Sequence, residues 1–167
     1  MLELLLANRE FLRPFEPARP DSFYTLDGVG EELNAATVVR SVGVAYVFGI
    51  TCGNRLVGRL ELSSISRHPF LNAHLGYWVE EASNGRGHAT EAVRLTAAFA
   101  LGTAGLHRLQ AAVMPRNTPS RRVLEKNGFR LEGLAERYLE IAGRWEDHLI
   151  FALTREEWPL PLTAASG

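Results

Sequence analysis

This sequence contains a loop with two glycines between a predicted strand and a predicted helix, an arrangement that few folds share. Alternation over residues 74–80 predicts the strand, and an alanine-rich segment after the loop predicts the helix. The loop consists of Asn84, Gly85, Arg86, Gly87, His88, Ala89 and Thr90. Backbone N–H groups at a helix N-terminus are unpaired and lie at the positive end of the helix dipole, and glycines let an anion approach them. The loop therefore predicts a site for phosphate groups.

The glycine spacing excludes two common phosphate-binding motifs. A dinucleotide-binding fingerprint needs a third glycine in register, and a Walker A loop needs Gly-Lys-Ser/Thr; this loop has neither. Taken alone, the loop is equally compatible with an ordinary glycine-containing helix start.

The charge distribution agrees with a polyanionic ligand. The chain of 167 residues has a formal charge of −1, but residues 84–130 hold eight arginines and lysines against two glutamates, a formal charge of +6. Such a segment is typical of a site for a small polyanion, and a solvated basic face stays open as the alternative. The near-neutral total disfavours nucleic-acid binding, and no apolar run approaches the ~18 residues of a membrane span. The single cysteine, Cys52, is predicted to be structural, and no metal site is expected.

The remaining patterns predict one domain over residues 1–158 and a flexible tail over 159–167. We expect a helix over 3–11 and a second helix that begins at Asp21 or Ser22 and runs toward Val39. Further helices are predicted after the glycine loop and over 120–127. Strands are predicted over 44–50, 55–62, 74–80, 108–114, 129–141 and 145–153, with turns at Gly53-Asn54 and Ala142-Gly143.

A second motif follows the strand at 108–114 and carries a resemblance. The two motifs are Asn84-x-x-Gly87-x-Ala89 and Asn117-x-x-Ser120-Arg121-x-Val123-Leu124-Glu125-x-x-Gly128-Phe129. Together they resemble the GNAT superfamily of acetyl-CoA-dependent N-acetyltransferases, and in particular its branch of ribosomal-protein N-terminal (Rim-type) acetyltransferases. The resemblance extends from about Val44 to Trp158.

The resemblance implies an α/β (α+β) fold. Its mixed, mostly antiparallel sheet would be flanked by helices, with a splay between the two central strands, at 74–80 and 108–114. The family begins with a strand before its first helix, whereas this chain begins inside a predicted helix. We therefore expect the first edge strand to be missing, unless residues 12–14 form it.

The resemblance also implies acetyl-CoA as the cosubstrate. The implied cofactor-binding residues are Trp78, Val79, Asn84, Gly85, Arg86, Gly87, His88, Ala89, Thr90, Asn117 and Ser120. Ser120 would protonate or hydrogen-bond the departing thiolate, and Asn117 would orient the thioester or a water. The alternative for Ser120 is a hydroxyl that satisfies backbone N–H groups at a helix start. The chain departs from the family at Asn84, where glutamine or arginine is usual, and at Leu124, where many members have tyrosine.

The implied reaction is direct attack of a primary amine on the thioester. The N-terminal α-amine of a ribosomal protein is the favoured acceptor, and a small amine such as an antibiotic or polyamine is the alternative. A CoA-binding module without turnover stays open as well. The sequence does not single out a general base among Glu80, Glu136 and Glu140.

Four residues are predicted to line the acceptor site, namely Phe70, Tyr77, Tyr138 and Glu140. Period-two spacing is expected to place Glu136, Tyr138 and Glu140 on one strand face. Asp147 and His148 are expected to be a structural pair. We expect a cytoplasmic monomer or homodimer without nucleic-acid or membrane partners.

Overall fold

Six strands form one open sheet in the computed structural model, which describes residues 1–158. The strands are β1 (Tyr46–Cys52), β2 (Arg55–Ser66), β3 (Asn72–Val79), β4 (Arg108–Val113), β5 (Arg130–Ile141) and β6 (Arg144–Thr154). Their order in the sheet is β1-β2-β3-β4-β6-β5, and every neighbouring pair is antiparallel except β3 and β4. The expected mixed, mostly antiparallel fold is confirmed. The predicted tail at 159–167 lies outside the described residues.

Four α-helices of residues 1–158 flank the sheet. They are α1 (Leu2–Leu12), α2 (Leu26–Ser41), α3 (His88–Ala98) and α4 (Thr118–Lys126), and α3 continues into a π-helical turn over Phe99–Thr103. The predicted start of α2 was wrong, because Asp21 lies in a separate 3-10 turn and Thr25 caps α2, with its Oγ1 3.1 Å from the N–H of Gly28. No helix in the described part of the chain is long and apolar enough to cross a membrane.

The first element of the described chain is a helix, as expected. Leu12 is the last residue of α1, so residues 12–14 do not form an opening strand. Within residues 1–158, β1 is the edge strand on that side and pairs only with β2.

The sheet has two differently covered faces. On one face, alternate residues of β2, β3, β4 and β6 pack with α3 and α4 into the main apolar core, which includes Leu62, Val93 and Leu124. Successive residues of a strand point to opposite faces, and residues opposite one another on neighbouring strands share a face. Arg59 of β2 and its partner Trp78 of β3 therefore both belong to the face opposite this core. Here α1 contacts β2 and α2 contacts β1.

The two central strands separate after a short pairing. Residues 72–74 of β3 pair in parallel with residues 108–110 of β4, and the pairing stops there. Within residues 1–158, the edges of 76–79 and 111–113 that face each other across the gap have no strand partner. The predicted splay is therefore present, and it exposes two strand edges at one end of the sheet.

The β5–β6 hairpin contains a bulge that the sequence alternation did not predict. Ala135 lies opposite His148 and Leu139 lies opposite Glu146, so β5 has two extra residues between these pairs. The backbone N–H of Arg137, whose φ is 50°, donates to Asp147 Oδ1 over 2.8 Å. The expected single face for Glu136, Tyr138 and Glu140 was wrong, because the bulge interrupts the period of two.

Candidate active site

A cavity of about 420 Å³ lies at the splay and is lined from both faces of the sheet. Tyr77 and Ser120 line it from the face that carries α3 and α4. Arg59, Trp78 and His148 line it from the opposite face, beside α1. The gap between β3 and β4 therefore connects two chemically different sides.

On the first side, Tyr77 is hydrogen-bonded to Ser120. The Tyr77 hydroxyl lies 2.9 Å from Ser120 Oγ and 3.1 Å from the Ser120 backbone oxygen. Burial raises the pKa of Tyr77 to about 12, so its phenol keeps its proton at physiological pH. When that proton points to Ser120 Oγ, the serine hydroxyl is free to donate into the cavity.

Asn117 caps α4, so its side chain provides a hydrogen-bond acceptor for a backbone N–H group at the start of this helix. Its Oδ1 accepts the backbone N–H of Ser120 over 3.2 Å. The alternative considered for Ser120, a capping hydroxyl, does not apply, because Asn117 supplies the cap and Ser120 contacts Tyr77 instead. Within the described chain Asn117 Nδ2 forms no hydrogen bond, so it remains a donor at the cavity wall.

The glycine loop forms an open cradle at the start of α3. Gly85 and Gly87 have φ of 75° and 86°, and Gly87 occupies the N-cap position without a side-chain cap. Nothing lies within 4 Å of a Cβ built on either glycine, so the backbone conformation and not crowding favours glycine here. The first N–H groups of α3 are therefore open to an anion from outside the chain.

The cradle is anchored to the sheet and to α1. Glu80 accepts hydrogen bonds of 2.5 Å from Ser83 Oγ and from Arg55, and these two bonds hold the pKa of Glu80 below its ordinary value. Asn8 of α1 is buried, and its Oδ1 accepts the backbone N–H of Glu81 over 2.9 Å. The turn that precedes the cradle is thus fixed from both sides.

Half of the cations in the basic segment are neutralised by carboxylates. Arg94 pairs with Glu91, Arg108 with Glu132, and Arg116 with Glu146. Arg130 pairs with both Glu132 and Glu157. Within residues 1–158, the other four cations form no ion pair, namely Arg86, Arg121, Arg122 and Lys126. The Asn127 amide donates to the Thr90 carbonyl over 3.2 Å, so the end of α4, with Lys126, lies beside the first turn of α3. Two of the four unpaired cations, Arg86 and Lys126, therefore lie near the cradle.

On the second side, the cavity contains charged groups from three parts of the chain. Glu16 and Arg19 come from the segment between α1 and α2, and Arg59 and Glu61 come from β2. Arg59 pairs with Glu61 over 2.8 Å and with Glu32 over 3.3 Å. Burial raises the pKa of Glu16 above its ordinary value, although nearby Arg19 and Arg59 oppose the shift.

The structure brings some of the predicted acceptor residues to the cavity and not others. Tyr77 lines it, whereas Tyr138 lies outside the lining and contacts it only through His148, whose ring is 5.4 Å from the Tyr138 ring. Phe70 is 57% exposed on the loop before β3, and it and Glu140 lie outside the lining.

Among the predicted cofactor residues, Trp78, Asn117 and Ser120 line the cavity, while residues 84–90 form the cradle and Val79 is buried in the core. The sequence missed Asn8, which no local pattern marks, and it predicted His148 only as part of a structural pair with Asp147 and not as a residue of the cavity wall.

Comparisons with known proteins agree with this geometry. A profile of the family described as acetyltransferase (GNAT) domain matches residues 2–130. YjcK, a probable N-acetyltransferase of Bacillus subtilis, is 40% identical over 154 residues, which cover 91% of this chain and 85% of YjcK. The ribosomal protein uS5-alanine N-acetyltransferase of Escherichia coli is 33% identical over 153 residues, covering 90% of this chain and 79% of its own length.

The structure of Mycobacterium smegmatis RimJ in complex with CoA-disulfide has a TM-score of 0.92 to this chain at 34% identity, and covers 95% of this chain and 78% of its own. The ribosomal-protein-S5-alanine acetyltransferase of Vibrio fischeri has a TM-score of 0.90 at 33% identity, with coverages of 95% and 88%. The profile match spans more than half of the chain, and the splay and cradle agree with it. The chain therefore belongs to the GNAT family of acetyltransferases and is an acetyl-transferring enzyme.

Proposed function

We propose that this protein transfers the acetyl group of acetyl-CoA to the N-terminal α-amine of a protein, of the kind found on ribosomal proteins. The observation that carries the proposal is the cavity through the splay, which has Tyr77 and Ser120 on one side and charged groups on the other. A thioester in the gap would be open to an amine from the α1 side. We place the reaction in the cytoplasm, because a ribosomal-protein acceptor is present there.

In this proposal the cradle and the splay hold acetyl-CoA. The diphosphate would accept hydrogen bonds from the N–H groups of residues 86–90, with Arg86 and Lys126 as counter-charges. The pantetheine arm would lie between the free edges of β3 and β4 and pair with their backbone. A strand N–H at the gap would then donate to the thioester oxygen as negative charge develops on it.

Ser120 and Tyr77 would stabilise the leaving thiolate by hydrogen bonding and not by proton donation. The pKa of Tyr77 is about 12, whereas a thiol has a reference pKa near 8.5. Moving the phenol proton to the thiolate would therefore cost about 5 kcal/mol at 1.36 kcal/mol per pKa unit. A hydrogen bond from the Ser120 hydroxyl, itself accepting from Tyr77, avoids that cost.

The α-amine is favoured as acceptor by its chemistry and by the relatives. An α-amine has a reference pKa of about 7.7–8.0, against about 10.4 for a lysine amine, so a larger share is neutral and nucleophilic at pH 7. Glu16 and Glu61 offer carboxylates to an incoming ammonium group. The relatives from E. coli and V. fischeri are named as alanine acetyltransferases of ribosomal protein S5 (uS5), and the amine of an alanine residue is free only at the N-terminus of a chain.

Acceptor class is tested by measuring CoA release with three kinds of amine. The first is a peptide that begins with alanine and carries an internal lysine, the second is the same peptide with a blocked N-terminus, and the third is a set of small amines such as spermidine and an aminoglycoside. We expect release only with the free N-terminus, and fragmentation mass spectrometry should place the acetyl group on the α-amine.

Two variants serve as matched controls for this assay. Ser120→Ala should lower turnover while acetyl-CoA still binds, and Ser41→Ala, at the exposed end of α2, should leave turnover unchanged. A higher kcat/KM with a small amine would overturn the proposed acceptor. Binding of acetyl-CoA without release to any amine would favour the CoA-binding module.

A further inference from the structure

His148 is a buried histidine that lines the acceptor side of the cavity. It lies on β6 and is 4% exposed. Ala112 of β4 pairs with Ile150, which is two residues from His148 on β6, so His148 and Ala112 share a face of the sheet. This is the face from which an amine would reach a thioester held in the splay. The side chain is thus placed on the nucleophile's side of the gap and opposite Ser120.

The hydrogen bonding of His148 identifies which ring nitrogen is basic. Its Nδ1 lies 3.0 Å from the backbone oxygen of Glu146. A carbonyl oxygen only accepts, so Nδ1 carries the proton, and in the neutral ring the lone pair belongs to Nε2. Nε2 forms no hydrogen bond with any residue of the described chain. The cavity therefore has a basic nitrogen with no partner on its wall.

The bulge in β5 holds the imidazole in place. The Arg137 N–H bonded to Asp147 fixes the extra residues, and the Tyr138 ring packs 5.4 Å from the His148 ring at an angle of 52°. The Glu146 carbonyl fixes the ring from its own strand. Asp147 thus bonds to the bulge and not to His148, with which it was expected to form a structural pair, and His148 is held in one orientation with Nε2 free.

We propose that His148 Nε2 is the general base that takes a proton from the neutral acceptor amine as that amine attacks the thioester, a role that rests on the proposed function. The acceptor ammonium group first loses one proton to solvent. The neutral amine then attacks the thioester carbon, the C–N bond forms while Nε2 takes the second proton from nitrogen, and the C–S bond breaks with its electron pair on sulfur. The imidazolium returns that proton through solvent to the thiolate, so CoA leaves as the thiol and His148 is neutral again. One acetyl group is transferred, and one proton is released for each ammonium acceptor.

The carboxylates that share the cavity are weaker candidates. Glu61 is held by Arg59 in an ion pair, so its lone pairs are already engaged. Glu16 is the main competitor, since it is partly buried and lines the same cavity. The titratable and charged groups around His148 are Glu16, Arg19, Arg59 and Glu61 across the cavity, Tyr77 on β3, Tyr138 on β5, and Glu146 and Asp147 on its own strand.

The test begins with His148→Asn, whose side-chain amide is able to keep the hydrogen bond to the Glu146 carbonyl but supplies no base. We expect kcat to fall about 100-fold, the lower end for general-base catalysis, because an α-amine needs modest help. Calorimetric affinity for acetyl-CoA should not change. His107→Asn is the matched control, because His107 is exposed and paired with Glu156 away from the cavity, and its kcat should stay at the wild-type value.

The pH profile separates a base from a structural residue. At acidic pH both the amine and the imidazole must lose a proton, so log kcat/KM should rise with a slope of 2 in the wild-type enzyme. In His148→Asn only the amine titrates, and the slope should be 1. Glu16→Gln should keep the slope of 2. A slope of 1 in the wild-type enzyme overturns the proposal. A slope of 1 in Glu16→Gln together with a slope of 2 in His148→Asn also overturns it.

Rescue keeps the proposal testable if the asparagine variant folds poorly. Imidazole added to His148→Ala should restore part of the lost rate, and a kcat within about threefold of wild type in either variant refutes the base. The acceptor used is whichever amine the wild-type enzyme acetylates. Failure of the peptide as acceptor therefore counts against the proposed function, and an unchanged rate in the variants counts against His148.

Discussion

Removing the Tyr77 hydroxyl tests whether it acts through Ser120. Tyr77→Phe keeps the ring in its buried site and deletes only the oxygen that contacts Ser120 Oγ at 2.9 Å and the Ser120 carbonyl at 3.1 Å. The serine hydroxyl then loses the hydrogen-bond partner that orients it. The thiolate, which forms only as the C–S bond breaks, loses part of its stabilisation in the transition state.

The size of the effect follows from one hydrogen bond. Such a bond contributes a net 0.5–1.5 kcal/mol, and 1.36 kcal/mol corresponds to a tenfold change in rate. We therefore expect kcat with a saturating acceptor to fall by about 2- to 12-fold. Acetyl-CoA affinity should change little, because in the proposed complex the diphosphate lies at the cradle and not at Tyr77.

The assay is CoA release by the wild-type enzyme, Tyr77→Phe, Ser120→Ala and the double variant. If Tyr77 acts through Ser120, the double variant should be no slower than Ser120→Ala. Tyr46→Phe is the matched control, since Tyr46 packs against Phe99 far from the cavity lining. An unchanged kcat in Tyr77→Phe, or losses that multiply in the double variant, would refute this reasoning.

Three further changes have defined outcomes. Gly87→Ala forces a side chain onto a φ of 86°, at a cost of roughly 1–2 kcal/mol, so calorimetry should show the Kd of acetyl-CoA raised about tenfold. Gly58→Ala puts a Cβ 2.3 Å from the Trp78 carbonyl oxygen, so urea unfolding should show a loss of about 1–3 kcal/mol, whereas Gly133→Ala, with nothing within 4 Å, should show little. Hydrogen bonds from two arginines lower the pKa of Glu132 from 4.5 to about 2, so its stabilisation is present above pH 4.5 and lost as the pH falls through 2. Glu132→Gln should therefore be less stable than wild type at pH 7, and urea unfolding should show the difference vanishing toward pH 2.

The cradle and the serine motif were predictable because both depend on local backbone. Gly85 and Gly87 adopt positive φ within a few residues of the helix that they precede, and Asn117 caps the helix that contains Ser120. Motif spacing records such short-range geometry directly. The hairpin at Gly53 was predictable for the same reason.

The side of the cavity that faces α1 was not predictable, because it depends on pairing between distant residues. Two extra residues in β5 decide where Tyr138 and His148 meet, and alternation counted along the sequence does not register them. Glu16 enters the cavity from an irregular segment that has no period to detect. The charge count also overstated the free positive charge, since Arg108 pairs with Glu132 across 24 residues of sequence.

A crystal structure with bound acetyl-CoA would show whether the cradle and the splay hold the cosubstrate. We expect the diphosphate to lie on the N–H groups of residues 86–90, the pantetheine to occupy the gap between β3 and β4, and the thioester sulfur to lie within hydrogen-bond distance of Ser120 Oγ. Acetyl-CoA bound elsewhere, or bound with its sulfur out of reach of Ser120, would contradict it.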